Sequence, residues 1–212
     1  MEALDLWVSL HGEGIYMEPD FVPLVNYGLH KEYGMQQIRS EILEFANMLS
    51  ERKYSSILEV GLGYFGSSHF LWREIFSKVI TIEWSNDRVM EFGRNMLKFY
   101  NGHRALDDGK SSFIIGSSYD PITVSKTHEF LKDGVDVLFI DADHKYESVL
   151  MDYLLYSPLV KKNGIIALHD ISAELPIYFG VPRLIRELEA KGIKFSKIIH
   201  SKSVGIGYYI VE

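Results

Sequence analysis

Three carboxylates and two imidazoles fall in two short segments, Asp141-Ala142-Asp143-His144 and His169-Asp170. Each segment follows an apolar run, Val135–Ile140 and Gly164–Leu168, of the kind that forms a strand buried on both faces. Neighbouring parallel strands lie ~4.8 Å apart, so Asp141 and Asp170 can share one cation between their ends. Oxygen donors without sulfur favour Mg²⁺, Mn²⁺ or Ca²⁺, and His169 as a further ligand admits softer metals. A cation there could chelate a substrate hydroxyl, lower its pKa and orient it. His144, three residues past Asp141, is in reach to take the hydroxyl proton. The expected ligands are therefore Asp141, His169 and Asp170, with His144 and Asp141 as the catalytic pair. Taken singly, each has an ordinary alternative: Asp141 a helix cap, His144 a solvated loop residue, His169 a hydrogen-bonded core histidine.

A second constellation is Leu58-Glu59-Val60-Gly61-Leu62-Gly63-Tyr64-Phe65-Gly66-Ser67-Ser68, between a strand-like and a helix-like run. Its glycines sit where the backbone must turn sharply and admit a ligand closely. Glu83 lies ~20 residues on, at the end of the next apolar run, where ribose hydroxyls are gripped. Together they point to an adenosine-containing cofactor; the alternative is a tight turn needing glycine for geometry alone. The spacing admits a nicotinamide dinucleotide, with pyrophosphate at the helix N-terminus. Glu59 is a poor neighbour for pyrophosphate and a good one for a cationic amino-acid moiety. S-adenosylmethionine carries such a group, with its ammonium and sulfonium.

These residues need a parallel sheet to position them. Apolar runs at Ser56–Val60, Lys78–Ile82, Ser112–Ile115, Val135–Ile140 and Gly164–Leu168 alternate with helical patterns. Ser85 can cap a helix running to about Tyr100, stopped by Asn101-Gly102. Asp120-Pro121 opens another, and Tyr146–Leu159 and the segment from Val181-Pro182 to Gly192 follow. The tail, Lys194–His200 then Val204–Val211, reads as an antiparallel hairpin on the sheet edge. The expected fold is α/β: a Rossmann-like, doubly wound sheet of seven strands, mostly parallel with a C-terminal antiparallel hairpin, and helices on both faces. Residues 1–50 are expected as a helical cap or lid, with 11–34 over the site, and residues 51–212 as one catalytic unit.

A chain of 212 residues, 47% hydrophobic and 24% charged, has the composition of a folded globular domain rather than a disordered one. A net charge of −7 with scattered Lys and Arg argues against a nucleic-acid partner, and no apolar run is long enough for a membrane span. Zero cysteines exclude disulfides, cysteine nucleophiles and thiolate metal sites. With no basic start at Met1-Glu2-Ala3-Leu4-Asp5, a cytoplasmic location is expected. The partner expected is a small-molecule hydroxyl acceptor, and the hairpin edge and aromatics suit a homo-oligomer.

Glu59-x-Gly61-x-Gly63, Glu83, Gly116-Ser117-Ser118, Asp141-Ala142-Asp143 and the closing hairpin resemble class I S-adenosylmethionine-dependent methyltransferases over about residues 35–212. The resemblance implies that Glu59, Gly61 and Gly63 line the methionine end and Glu83 the ribose. It places Trp84, Ser117 and Ser118 at the adenine, and Asp143 on the cofactor. The strand-end carboxylates resemble those of metal-dependent O-methyltransferases of the catechol and macrolide-sugar types. His144 stands where the catechol type has lysine, and His169-Asp170 where it has Asp-Asn; the macrolide-sugar and cephalosporin-hydroxylase-like branch is closer. The implied function is methyl transfer from S-adenosylmethionine to a small-molecule hydroxyl, assisted by Mg²⁺ or another divalent cation. An NAD-dependent oxidoreductase and a non-catalytic methyltransferase-like binding subunit are the alternatives.

Overall fold

A computed structural model describes residues 37–63, 66–90, 109–172, 179–200 and 204–212. Its sheet has seven strands: β1 (Ser56–Val60), β2 (Lys78–Glu83), β3 (Ser111–Ile115), β4 (Val135–Ile140), β5 (Val160–His169), β6 (Ser196–Ile198) and β7 (Ile206–Ile210). The order across the sheet is β3-β2-β1-β4-β5-β7-β6. The first five strands are parallel, and β7 runs antiparallel to both β5 and β6. This is the expected sheet with its closing hairpin.

The central strands are buried end to end, β1 along its whole length and β4 along all but one residue. Their side chains alternate between two cores. Ile57, Val79, Val137, Phe139, Ile165 and Ala167 point to one face, packed by helices α1 (Arg39–Ser50) and α2 (Ser67–Ile75). Leu58, Val60, Ile80, Ile82, Leu138, Ile140, Ile166 and Leu168 point to the other, covered by α4 (Tyr146–Tyr156) and α5 (Gly180–Ala190). Helix α5 presents Val181, Leu184, Ile185 and Leu188 at helical spacing to that core.

Local chemistry sets the element ends. Asp120 caps α3 (Pro121–Phe130), its carboxylate accepting from the Ile122 and Thr123 amides, with proline at the first helical position. Helix α4 tightens into a 3₁₀ turn at Ser157–Leu159. Residues 86–90 are helical and follow Ser85, whose Oγ accepts from the Arg88 amide.

Helix α1 does not stand apart as a cap. Phe45 packs edge-on to Trp72 of α2 and stacks on Phe139 of β4, so α1 shares one core with the sheet. The boundary expected at residue 50 therefore cuts through that core. The lid expected over 11–34, the helix stop at Asn101-Gly102 and the turn at 201–203 lie outside the described residues. Among the described residues, no helix is long and apolar enough to cross a membrane.

Candidate active site

Strand order reverses between β1 and β4, and open α/β sheets bind ligands at that point, beyond the carboxyl ends of the strands. Gly61 leaves β1 there with φ +99°, and a Cβ on it would lie 2.3 Å from the Asp141 carbonyl oxygen. Only glycine lets the two strand ends come this close. Gly63 (φ +67°) and Gly66 (φ +66°) complete the turn into α2.

Glu83 braces this loop from the end of β2. Its Oε2 accepts from the Leu62 amide and its Oε1 from the Ser85 amide, each at 3.0 Å. A cavity of about 320 Å³ opens beside it. Seven of the residues expected at the cofactor line that cavity: Gly61, Gly63, Glu83, Trp84, Ser117, Ser118 and Asp143. Trp84 is 69% exposed, which leaves an aromatic surface uncovered at the cavity rim. Asp143 accepts from Ser148 Oγ at 2.8 Å and from the Lys145 amide at 3.3 Å, fixing the start of α4. Partial burial works to raise its pKa, but these bonds outweigh it and hold the carboxyl below its ordinary range.

Glu59 departs from expectation. It is fully buried and does not line the cavity. Strand periodicity puts its side chain on the Ile57 face, toward α2. There its Oε1 accepts from Trp72 Nε1 (2.9 Å) and its Oε2 from Thr81 Oγ1 (2.8 Å). His69 Nδ1 is 2.6 Å from Thr81 Oγ1, and His69 Nε2 is 2.8 Å from Ser111 Oγ. Glu59 thus ties α2 to the sheet beneath the glycine loop rather than facing a methionine group. Burial pushes its carboxyl up to about 7 against the hydrogen bonds from Ser68, Thr81 and Trp72.

The acidic and imidazole side chains do converge. Register pairs Ile140 with Leu168, so Asp141 and His169 leave β4 and β5 side by side. Asp170 follows in the left-handed region, φ 63°, which Asp tolerates better than most residues. His144 Nε2 lies 2.6 Å from Asp170 Oδ2. His169 Nδ1 lies 3.2 Å from Asp141 Oδ1 and 3.3 Å from Asp170 Oδ2. Gln37 Nε2 donates to Asp141 Oδ2 at 2.6 Å.

Ligand atoms of Asp141, His144 and Asp170 all lie within 4.8 Å of one another, and two oxygens with one nitrogen fit a divalent cation. The grouping takes His144 where His169 was expected. His169 shares the β5 face of Ile165 and Ala167, below the strand ends, with its ring 6.4 Å from that of Phe139. A nitrogen placed between two carboxylates donates a hydrogen to them, which removes it as a ligand atom. Its Nε2 is buried with no hydrogen-bond partner among the described residues.

Charge couples the four groups. Burial alone would raise the pKa of Asp170, but the His169 and His144 imidazoles outweigh it and hold the carboxyl well below the usual range. Burial works to lower the pKa of both histidines. The carboxylates outweigh it in each, Asp170 chiefly, and hold both above the ordinary imidazole value, His169 well above.

Two residues of the site escaped the sequence reading. Gln37 lies 104 positions from Asp141, and no spacing rule connects them. Asp152 lines the cavity from α4. Its signal was available, since it falls on the buried stripe of Val149, Tyr153 and Tyr156.

Sheet order, glycine turn and strand-end carboxylates together define the Rossmann-like methyltransferase fold. The family model described as "Methyltransferase domain" matches residues 59–171, more than half of the chain. The chain belongs to that family, which displaces the nicotinamide oxidoreductase alternative. Among solved structures, the chain is similar to an O-methyltransferase from Bacillus cereus in complex with SAH. The identity is 15% and the TM-score 0.58, over 100% of this chain and 91% of that one. It is also similar to the MycE methyltransferase of the mycinamycin biosynthetic pathway, in complex with Mg and SAH. That match has 13% identity and a TM-score of 0.58, over 98% of this chain and 54% of that one. At such identities the likeness is one of fold. An uncharacterized protein of Acanthamoeba polyphaga mimivirus is 48% identical over 40 residues, 19% of this chain and 18% of that relative's length.

Proposed function

We propose that this chain moves a methyl group from S-adenosylmethionine to a hydroxyl of a small molecule, with a divalent cation, Mg²⁺ foremost, at the strand ends. The observation that carries the reading is the position of Asp141. It lines the cofactor-sized cavity and belongs to the Asp141–His144–Asp170 cluster, so cofactor and acceptor sites would meet at one residue. Gly61 and Gly63 would admit the methionine end, Glu83 the ribose hydroxyls, and Trp84, Ser117 and Ser118 the adenine. Asp141 and Asp170 would hold the cation. SAH and Mg in the structure of MycE support both halves of this reading.

When bound, the cation would polarise the acceptor hydroxyl and neutralise the two carboxylates. His144 is the residue to take the hydroxyl proton. Its side chain is 29% exposed, whereas Asp170 beneath it is 7% exposed, so it faces the open side of the cluster. The raised pKa of His144 has Asp170 as its main source, and screening that charge frees the imidazole to act as a base. His169 would stay beneath, donating through Nδ1 to both carboxylates and fixing their orientation. Methyl transfer itself is a direct displacement, so alignment of acceptor oxygen and methyl group carries most of the rate.

The test is transfer of labelled methyl from S-adenosylmethionine to a panel of hydroxyl-bearing sugars, catechols and polyketides, with Mg²⁺ and with a chelator. Transfer that the chelator abolishes supports the proposal. Transfer indifferent to the chelator removes the cation from it, and no transfer to any acceptor favours the non-catalytic reading.

A further inference from the structure

Helix α5 begins by pressing its backbone onto the segment that carries His144. A Cβ on Gly180 would lie 2.3 Å from the His144 carbonyl oxygen, 2.3 Å from the Tyr146 amide nitrogen and 2.5 Å from the Lys145 carbonyl carbon. Gly180 is buried in the first turn of α5 and lies outside the left-handed region, so glycine is needed here for space rather than for backbone freedom. Both helices at this contact are anchored. Val181, Leu184, Ile185 and Leu188 of α5 are buried in the same core as Val149, Tyr153 and Tyr156 of α4. A side-chain clasp joins the two: the Tyr146 hydroxyl donates to Glu187 Oε2 at 2.5 Å, and the Arg183 guanidinium lies 3.6 Å from the centre of the Tyr146 ring. The link from β4 to α4 is therefore what yields when the contact is crowded. That link carries His144, whose Nε2 reaches Asp170 Oδ2 at 2.6 Å.

We propose that Gly180 is a positioning residue for the reaction: its bare backbone sets how closely His144 sits over the strand-end carboxylates. This rests on the methyl-transfer reading above, in which His144 is the base, and adds to it a residue that does not line the cofactor cavity. Ordinary contact for a Cβ begins near 3.4 Å, so a methyl group at 2.3 Å forces a retreat of roughly 1 Å. A misplacement of ~1 Å imposed from outside the chemistry costs up to about 100-fold in rate.

The test compares wild type, Gly180→Ala, His144→Ala and the double variant as full chains. The imidazole resonances of His144, assigned by their loss in His144→Ala, are expected to shift in Gly180→Ala and to stay in place in Gly192→Ala. Gly192 follows α5 at φ +95° with nothing within 4 Å of a Cβ, so its substitution strains the backbone without touching the site. Methyl transfer to the hydroxyl panel is expected to fall about 100-fold in Gly180→Ala, with S-adenosylhomocysteine affinity within a few fold of wild type. The double variant should be no slower than His144→Ala, because a residue that acts through His144 has nothing left to displace. Where thermal melting shows Gly180→Ala to be unfolded, Tyr146→Ala, which opens the clasp without adding a clash, should shift the same resonances in its place. Unmoved His144 resonances in the folded variant, or losses of turnover that add in the double variant, overturn the role of Gly180 and leave the methyl-transfer reading standing. Wild-type protein without turnover overturns that reading, and this role with it.

Discussion

Gln37 and Asp141 stand 104 residues apart in the chain and 2.6 Å apart in the fold, amide nitrogen to carboxylate oxygen. The contact joins the segment entering α1 to the end of β4, and it leaves Asp141 Oδ1 to His169. Both oxygens of the carboxylate are thereby oriented before any ligand arrives. Removing an outer hydrogen-bond partner of a metal ligand lowers affinity by about 10- to 100-fold. Gln37→Ala is expected to weaken Mg²⁺ or Mn²⁺ binding in that range and to leave S-adenosylhomocysteine binding nearly unchanged. Titration of both ligands into one variant checks the split, and equal losses would contradict it.

His144 carries the proton in the proposed reaction, and a positioned general base contributes about 10²- to 10⁴-fold. His144→Ala should lose turnover on that scale while binding cofactor as before. Turnover and Mn²⁺ affinity, measured on the same variant, separate the roles. Full activity returns His144 to an ordinary loop residue, and lost Mn²⁺ affinity makes it the third ligand instead.

Glu83 has two tasks in this structure, bracing the Leu62 amide and facing the cavity. A hydrogen bond to a charged group contributes roughly 1.5–3 kcal/mol. Glu83→Ala is expected to weaken S-adenosylhomocysteine binding by tens of fold or more. An unchanged affinity by calorimetry would contradict the ribose assignment.

Glu59 supplies a pH dependence of stability. Its carboxyl is raised by burial from 4.5 to about 7, so the folded chain binds this proton more tightly than the unfolded chain. Its cost to folding is absent below pH 4.5, grows as pH rises toward 7, and is complete above that. The full effect is on the order of 3 kcal/mol. Glu59→Gln should remove this slope, which urea unfolding at pH 5 and pH 8 would reveal. A wild-type slope preserved in the variant would show that Glu59 does not titrate in this window.

Much of this was legible in the chain. Short Val- and Ile-rich runs separated by capped helices specify a parallel sheet, and Gly61 and Gly63 mark the turn where it reverses. The strand-end carboxylates followed from the same register. The place of Glu59 just before the glycines points to the cofactor, whereas its parity along β1 points away from it. Glu59 shares the face of Ile57, which buries it against Trp72. The same alternation sends His169 below the strand ends with Ile165 and Ala167. Gln37 was beyond reach, since a contact spanning 104 residues depends on how α1 packs over the completed sheet.

The central claim is that the cavity beside Gly61 and Glu83 holds S-adenosylmethionine. Calorimetric titration of S-adenosylhomocysteine into the full chain, with NADH as the matched control, tests it most directly. The account predicts micromolar binding of S-adenosylhomocysteine and none of NADH. Binding of NADH without S-adenosylhomocysteine would contradict it.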